Sequence, residues 1–200
     1  MDGGKIVQKG YNKIAKKYHA QRARFDNGKE LAKFMKLLPK NASVLDLGCG
    51  AGVPISKTLV KRGFAVTGID IAKSMLALAK KNVPKAKFLR KDMTKLDFKA
   101  NSFDGAVSFY AIIHVPRERH AKIFRGLHKA LKNKGVFLVC LGNDRWEATE
   151  KYMGTTMFWS QNEPKKALSI IRRAGFRIMF AKTLVRGGET HFWVIARNVK

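Results

Sequence analysis

Three glycines follow a short apolar run in the segment Val44-Leu45-Asp46-Leu47-Gly48-Cys49-Gly50-Ala51-Gly52. Glycine lets a backbone turn sharply between a strand and a helix, and it lets the backbone approach a ligand without a Cβ clash. The dinucleotide-binding pattern G-x-G-x-x-G needs a glycine at position 53, where this chain has Val53. Asp46, two positions before the first glycine, would disfavour an anionic pyrophosphate. The segment therefore predicts a loop that binds a ligand with cationic groups.

Two further acids stand at the ends of the next predicted strands. Asp70 comes 18 residues after the last glycine, and Asp92 ends the strand that follows. A carboxylate at the tip of the second strand can accept hydrogen bonds from both hydroxyls of a ribose, and Asp92 could meet an adenine amino group. A single acid at a strand end is more often a turn or helix-cap residue. Three acids at successive strand ends, beside the glycines, favour a nucleoside-containing ligand instead.

Candidate groups for a reaction lie after the fourth and fifth predicted strands. His114 is a candidate general base, with a capping or packing histidine as the alternative, and Tyr110 is better placed to contact the bound ligand. His191 opens the last strand, where it could face the pocket or serve a structural role. Large apolar side chains crowd residues 143–163, which indicates either an apolar lid over an acceptor or the packing face of an amphipathic helix. The candidate lid residues are Trp146, Tyr152, Met157, Phe158, Trp159 and His191.

Alternating strands and helices must position these groups. Strands are predicted at 44–47, 64–69, 87–89, 105–109, 135–141, 176–184 and 191–196 from runs of apolar and β-branched residues. Helices are predicted within 5–38, with a break at Asp26-Asn27-Gly28, and at 54–62, 73–81, 117–132 and 165–174. This alternation predicts an α/β fold: a doubly wound, mostly parallel sheet in a three-layer αβα sandwich. The turn Arg186-Gly187-Gly188-Glu189 predicts a hairpin that adds an antiparallel edge.

The composition indicates a single domain over residues 1–200. It does not decide what kind of molecule that domain binds. The 200 residues include 41 Lys and Arg against 14 Asp and Glu, a formal net charge of +27 spread along the chain. Such charge indicates either a generally basic surface or a nucleic-acid groove, with an anionic membrane surface or an acidic partner as weaker options. The longest uncharged stretch has 12 residues, whereas a membrane span needs roughly 20. With only Cys49 and Cys140 available, we expect a reduced, cytoplasmic, soluble protein without disulfides, metal site or signal peptide.

Together these motifs resemble those of class I S-adenosylmethionine-dependent methyltransferases of the small-molecule type. Residues 44–52 resemble the first motif of that family, and residues 68–75 resemble the second. Residues 91–93 are similar to the adenine-contacting motif, and residues 103–108 to the fourth-strand motif. Residues 11–18 are similar to the amino-terminal helix that covers the cofactor in many small-molecule members.

The resemblance implies a Rossmann-like sheet of seven strands with an antiparallel last strand, and S-adenosylmethionine as cofactor. It also implies a helical cover at 1–40 and an acceptor-site lid at 143–163. The residues it implies for cofactor binding are Tyr11, Tyr18, Asp46, Gly48, Cys49, Gly50, Gly52, Asp70, Ile71, Met75, Asp92, Met93 and Tyr110.

We expect methyl transfer to a small molecule by in-line displacement, in which positioning of the acceptor supplies much of the catalysis. One alternative is methylation of RNA or of a ribosome-associated protein, and another is cofactor binding without catalysis. No Asn-Pro-Pro-Tyr-like motif follows the fourth strand, so the usual signature of amino-group methylation on adenine or glutamine is missing. Neither Cys49 nor Cys140 is placed like the nucleophile of a cytosine-C5 methyltransferase.

Overall fold

The computed structural model describes residues 2–22, 28–186 and 188–200. Its helices are α1 (Gly3–Arg22), α2 (Gly28–Met35), α3 (Ile55–Lys61), α4 (Lys73–Asn82), α5 (His120–Ala130) and α6 (Pro164–Arg173). Its strands are β1 (Ser43–Leu47), β2 (Ala65–Asp70), β3 (Lys87–Arg90), β4 (Phe103–Ser108), β5 (Leu131–Leu141), β6 (Trp146–Tyr152), β7 (Thr155–Gln161), β8 (Phe176–Arg186) and β9 (Glu189–Asn198). Short 3-10 turns lie at Ile112–His114 and Arg117–Arg119. Asp26 and Asn27 of the predicted break, and Gly187 of the predicted turn, lie outside the described residues.

Seven strands form one sheet in the order β3-β2-β1-β4-β5-β9-β8. Neighbouring strands from β3 to β5 run parallel, whereas β9 is antiparallel to both β5 and β8. The predicted doubly wound α/β sheet with an antiparallel last strand is therefore confirmed. The antiparallel strand does not form the edge of the sheet, however, because β8 lies outside it. Burial explains this order: residues 191–196 of β9 are all buried, whereas β8 alternates with exposed positions and suits an edge.

Apolar side chains cover both faces of the sheet. In β1, Leu45 and Leu47 join the cluster packed by α5 and α6, while Val44 joins the cluster on the opposite face. Successive strand residues point to opposite faces, so this single strand supplies both halves of the core. The result is the predicted three-layer arrangement. None of the helices within the described ranges is both long and apolar enough to cross a membrane.

Residues 143–163 form a β-hairpin, and the amphipathic-helix alternative for this segment is wrong. β6 and β7 pair antiparallel as a separate two-stranded sheet. Met153 and Gly154 join them with φ of 52° and 86°, which is the backbone that a two-residue hairpin turn requires. The hairpin packs on α1, where Met157 is fully buried in a cluster with Val7 and Ile14.

Candidate active site

A cavity of about 470 Å³ opens at the carboxyl ends of β1, β2, β3 and β4. The strand order reverses at β1, which places the cavity at the switch point where open α/β sheets bind ligands. A smaller hollow of about 50 Å³ shares part of its wall. Ten of the residues predicted for cofactor binding line the larger cavity: Tyr11, Tyr18, Gly48, Gly50, Asp70, Ile71, Met75, Asp92, Met93 and Tyr110. His114 lines it as well, and Asp46 and Cys49 line the smaller hollow.

The glycine loop depends on backbone conformations that favour glycine. Gly48, Gly50 and Gly52 have φ of 69°, 53° and 75°, in the left-handed region. A Cβ at Gly48 would also lie far inside van der Waals contact with the Cβ of Ala111. Gly52 lines neither hollow, so the role of its left-handed backbone is to form the turn of the loop.

Backbone donors hold the carboxylate of Asp70 in the cavity wall. Its Oδ2 accepts from the Gly50 amide at 2.9 Å, and its Oδ1 accepts from the Ala72 amide at 2.8 Å. Each oxygen keeps further acceptor capacity. Burial raises the pKa of Asp70, and the amides of Ala72 and Gly50 offset part of that rise. The arrangement is a fixed acceptor pair for two more hydrogen-bond donors.

Asp46 is buried below the glycine loop, with 2% of its surface exposed. Burial raises its pKa to about 7, the hydroxyl of Ser56 opposes that rise by donating to Oδ2 at 2.6 Å, and Asp70 adds to it. A cation beside this carboxyl group would favour its ionised form. Ser56 was not predicted from the sequence, since a serine in the first turn of a helix carries no distinguishing signal.

Asp92 lies in the cavity wall and also fixes a turn. Its Oδ1 accepts from the amide and the hydroxyl of Thr94 at 2.8 and 2.9 Å. This Asx turn is the local role that the sequence left open as an alternative. Met93 follows it in the cavity wall.

His114 and Tyr11 contact each other in the cavity wall. The Tyr11 hydroxyl lies 2.8 Å from Nε2 of His114, and Nδ1 lies 2.7 Å from the carbonyl oxygen of Phe158. A carbonyl only accepts, so Nδ1 carries a proton and donates it to that hydrogen bond. In the neutral imidazole, Nε2 then accepts from the Tyr11 hydroxyl. His114 therefore has its basic nitrogen on the cavity side.

Within the described residues, none of the predicted lid side chains lines the cavity. Trp159 packs on the His114 ring at 5.6 Å between centroids, and Trp146 and Tyr152 pack on Trp159. His191 packs edge-on against Tyr110, with ring centroids 4.9 Å apart. These residues, with Met157 and Phe158, support the cavity wall from behind.

Helix α1 covers the cavity instead. Gln8 lines it and donates from Nε2 to the carbonyl of Ile71 at 3.0 Å, while Asn12 Oδ1 accepts from the Ser74 amide at 3.0 Å. Gln8, Tyr11 and Asn12 share one helix face, three and four residues apart. Gln8 and Asn12 were missed from the sequence, and only this spacing beside Tyr11 could have indicated them.

The thiols do not form a reactive or metal-binding centre. Cys49 and Cys140 are both free, and Cys140 is buried in β5. Burial raises the pKa of Cys49 well above its usual range, and Asp46 and Asp70 raise it further. The Cys49 thiol is therefore protonated and a poor nucleophile. Across residues 2–22, 28–186 and 188–200, no three His, Cys, Asp or Glu side chains are grouped to hold a metal ion.

Comparison with known proteins finds relatives that are named as methyltransferases. The sequence model of the family described as "Methyltransferase domain" matches residues 44–135. A Bacillus subtilis protein named as a methyltransferase, YqeM, is 27% identical over 168 residues, which cover 77% of this chain and 67% of that protein. The Saccharomyces cerevisiae 18S rRNA (guanine(1575)-N(7))-methyltransferase is 35% identical over 106 residues, which cover 48% of this chain and 38% of the yeast protein.

A solved structure has the same fold. The Burkholderia thailandensis 1,6-didemethyltoxoflavin-N1-methyltransferase, solved with its substrate and S-adenosylhomocysteine, superposes with a TM-score of 0.72 at 19% identity. The match covers 94% of this chain and 86% of that chain.

Proposed function

Because this chain belongs to the class I S-adenosylmethionine-dependent methyltransferases, we propose that it methylates a small-molecule acceptor bound beneath α1. The observation that carries this proposal is the cavity of about 470 Å³ beneath α1, which is within the size range of small-molecule sites, so an acceptor that shares it with the cofactor must be small. Helix α1 closes it through the contacts of Gln8, Tyr11 and Asn12. A base of a nucleic acid would have to be flipped out of its stack to enter the same cavity.

The residues of the cavity fit the parts of the cofactor. The Asp70 carboxylate, fixed by two backbone amides, suits the ribose hydroxyls, and Asp92 with Met93 suits the adenine ring. The loop of Gly48 and Gly50 suits the amino-acid part. Asp46 is buried below that loop and lines the adjoining hollow, where a cationic group of the ligand would favour its ionised form. When bound, S-adenosylmethionine supplies an electrophilic methyl group on a sulfonium.

The hydrogen-bonded side chains of Tyr11 and His114 suit removal of a proton from the methyl acceptor. The Phe158 carbonyl holds Nδ1–H of His114, which keeps the lone pair of Nε2 directed at the Tyr11 hydroxyl. An acceptor that must lose a proton can pass it through that hydroxyl to Nε2. His114 would then act as a general base, while α1 excludes water from the reacting groups.

Methyl transfer into cell fractions tests the acceptor class. The protein would be incubated with methyl-labelled S-adenosylmethionine and either a metabolite extract or total RNA, with Asp70→Ala as the control. We expect label in the metabolite fraction from wild type and none from the variant. Label in RNA alone would overturn the small-molecule proposal, and no label in either fraction would overturn methyl transfer.

A second candidate acceptor is RNA. The net charge of +27 suits a polyanion, and one relative is named for methylating a guanine of 18S rRNA. The same incubation separates the two, because RNA methylation would survive removal of all small molecules by gel filtration.

A further inference from the structure

Four cationic side chains line the cavity besides Lys91, which pairs with Asp97. Lys5 comes from the first turn of α1, Lys95 from the connection between β3 and β4, and Arg119 and Lys122 from the start of α5. All four are exposed. None of them forms an ion pair with another residue of the part of the chain that is described. The mouth therefore carries positive charge that the protein itself does not neutralise.

Packing brings together the two segments that carry three of these cations. Gly126 of α5 faces Leu96, since a Cβ at Gly126 would lie 2.9 Å from the Leu96 Cβ. Lys122 is four residues before Gly126 and lies on the same helix face, and Arg119 lies about one turn earlier. Lys95, next to Leu96 in sequence, lines the same cavity as both.

No acid of the cavity lining lies among the cations at the start of α5. The first turn of the helix has no acidic residue, and Glu118 of the preceding 3-10 turn pairs with Arg117. The acids of the lining are Asp70, Asp92 and Asp2. Asp92 shares a backbone turn with Lys95, and Asp2 shares one with Lys5, whereas no lining acid accompanies Arg119 and Lys122.

We infer that the methyl acceptor carries a phosphate group, which Lys95, Arg119 and Lys122 bind at the cavity mouth, with Lys5 facing it from α1. This inference rests on the proposed function, because it identifies the chemical class of the same acceptor. A phosphate monoester carries close to two negative charges near pH 7 and three acceptor oxygens, so it suits several cations better than a single carboxylate does. The phosphate can belong to a small ester or to RNA.

The test uses inorganic phosphate as the probe. The 200-residue protein, with and without saturating S-adenosylhomocysteine, is titrated with phosphate at constant ionic strength and followed by amide chemical shifts. We expect saturable shifts around Lys95 and Arg119, and binding about tenfold weaker in Arg119→Ala/Lys122→Ala. The matched control Arg125→Ala/Lys129→Ala removes two exposed cations of the same helix that do not line the cavity, and it should bind within about twofold of wild type.

Equal weakening in both double variants, or no saturable binding to wild type, would overturn the inference. Lys95→Ala, on a different element, repeats the test if the α5 variant does not fold. Binding of S-adenosylhomocysteine is measured separately, so failure of the cofactor site and failure of the phosphate site are distinguishable.

Competition with a short single-stranded RNA assigns the source of the phosphate. RNA binding that weakens only in Arg119→Ala/Lys122→Ala supports the phosphate site with RNA as its source. RNA binding that weakens equally in both double variants reflects diffuse contacts with the basic surface. If binding of inorganic phosphate is then lost only in Arg119→Ala/Lys122→Ala, the site takes the phosphate of a small ester.

Discussion

Replacing Asp46 with asparagine removes a buried titratable group from beneath the glycine loop while keeping its size. Burial raises the pKa of Asp46 from 3.8 to about 7. The unfolded chain releases this proton near pH 3.8, whereas the folded protein holds it until about pH 7. Between these values the wild-type protein loses stability as the pH rises, and it recovers none of this loss above pH 7. The separation of about three pH units corresponds to about 4 kcal/mol.

Urea unfolding at several pH values measures this contribution. We expect Asp46→Asn and wild type to have similar free energies of unfolding near pH 4. At pH 8 the variant should be more stable, by up to about 4 kcal/mol. A difference that stays constant between pH 4 and pH 8, or that favours wild type at pH 8, would refute the assignment of a raised pKa to burial.

Asp104 supplies a control, because its pKa is shifted in the opposite direction to that of Asp46 and its effect on stability should therefore depend on pH in the opposite sense. Burial acts to raise its pKa, but hydrogen bonds from Lys132 at 2.8 Å and the Ser43 amide at 2.8 Å outweigh burial and hold the pKa below its usual value. Its carboxylate therefore stabilises the fold above its unfolded pKa, and this contribution is lost as the pH falls through the folded pKa. Asp104→Asn should be less stable than wild type at pH 8, and the gap should close in acid.

Further predictions concern the glycine loop and the helical cover. Gly48→Ala should cost about 1–2 kcal/mol from its left-handed backbone alone, and the clash with Ala111 should weaken S-adenosylhomocysteine binding further. Adding Ala111→Gly should restore part of that affinity in calorimetry, and a double variant as weak as the single would contradict the steric explanation. Tyr11→Phe removes the hydroxyl that bonds His114. The free energy of opening of α1 should therefore fall by about 1 kcal/mol, which is measured as faster amide hydrogen exchange in that helix. Unchanged exchange would argue against a cover held by this bond. His114→Ala should lower turnover about a hundredfold or more with cofactor affinity within about twofold, and unchanged turnover would remove His114 from the reaction.

Local signals made the glycine loop and the acids at the strand ends predictable. The loop from Gly48 to Gly52 needs backbone angles that favour glycine, and Asp70 follows a strand whose apolar run is short and clear. Both features depend on residues that are close in sequence. The acids and glycines meet because parallel strands bring their carboxyl ends to one edge of the sheet.

Contacts between distant segments were not predictable in the same way. Gln8 and Asn12 bond groups 63 and 62 residues away, so no local pattern indicates them. The aromatic density of residues 143–163 suggested a lid, but it reflects a hairpin whose rings pack on α1 and on His114. The position of β9 inside the sheet follows from its burial relative to β8 and not from chain order.

Calorimetric titration with S-adenosylhomocysteine tests the central claim most directly. Wild type should bind one molecule per chain, and Asp104→Ala, remote from the cavity lining, should bind equally well. Asp70→Ala should bind at least about a hundredfold more weakly, because it removes the charged acceptor of two ribose hydrogen bonds. Absence of binding to wild type, or equal binding to Asp70→Ala, would contradict the account.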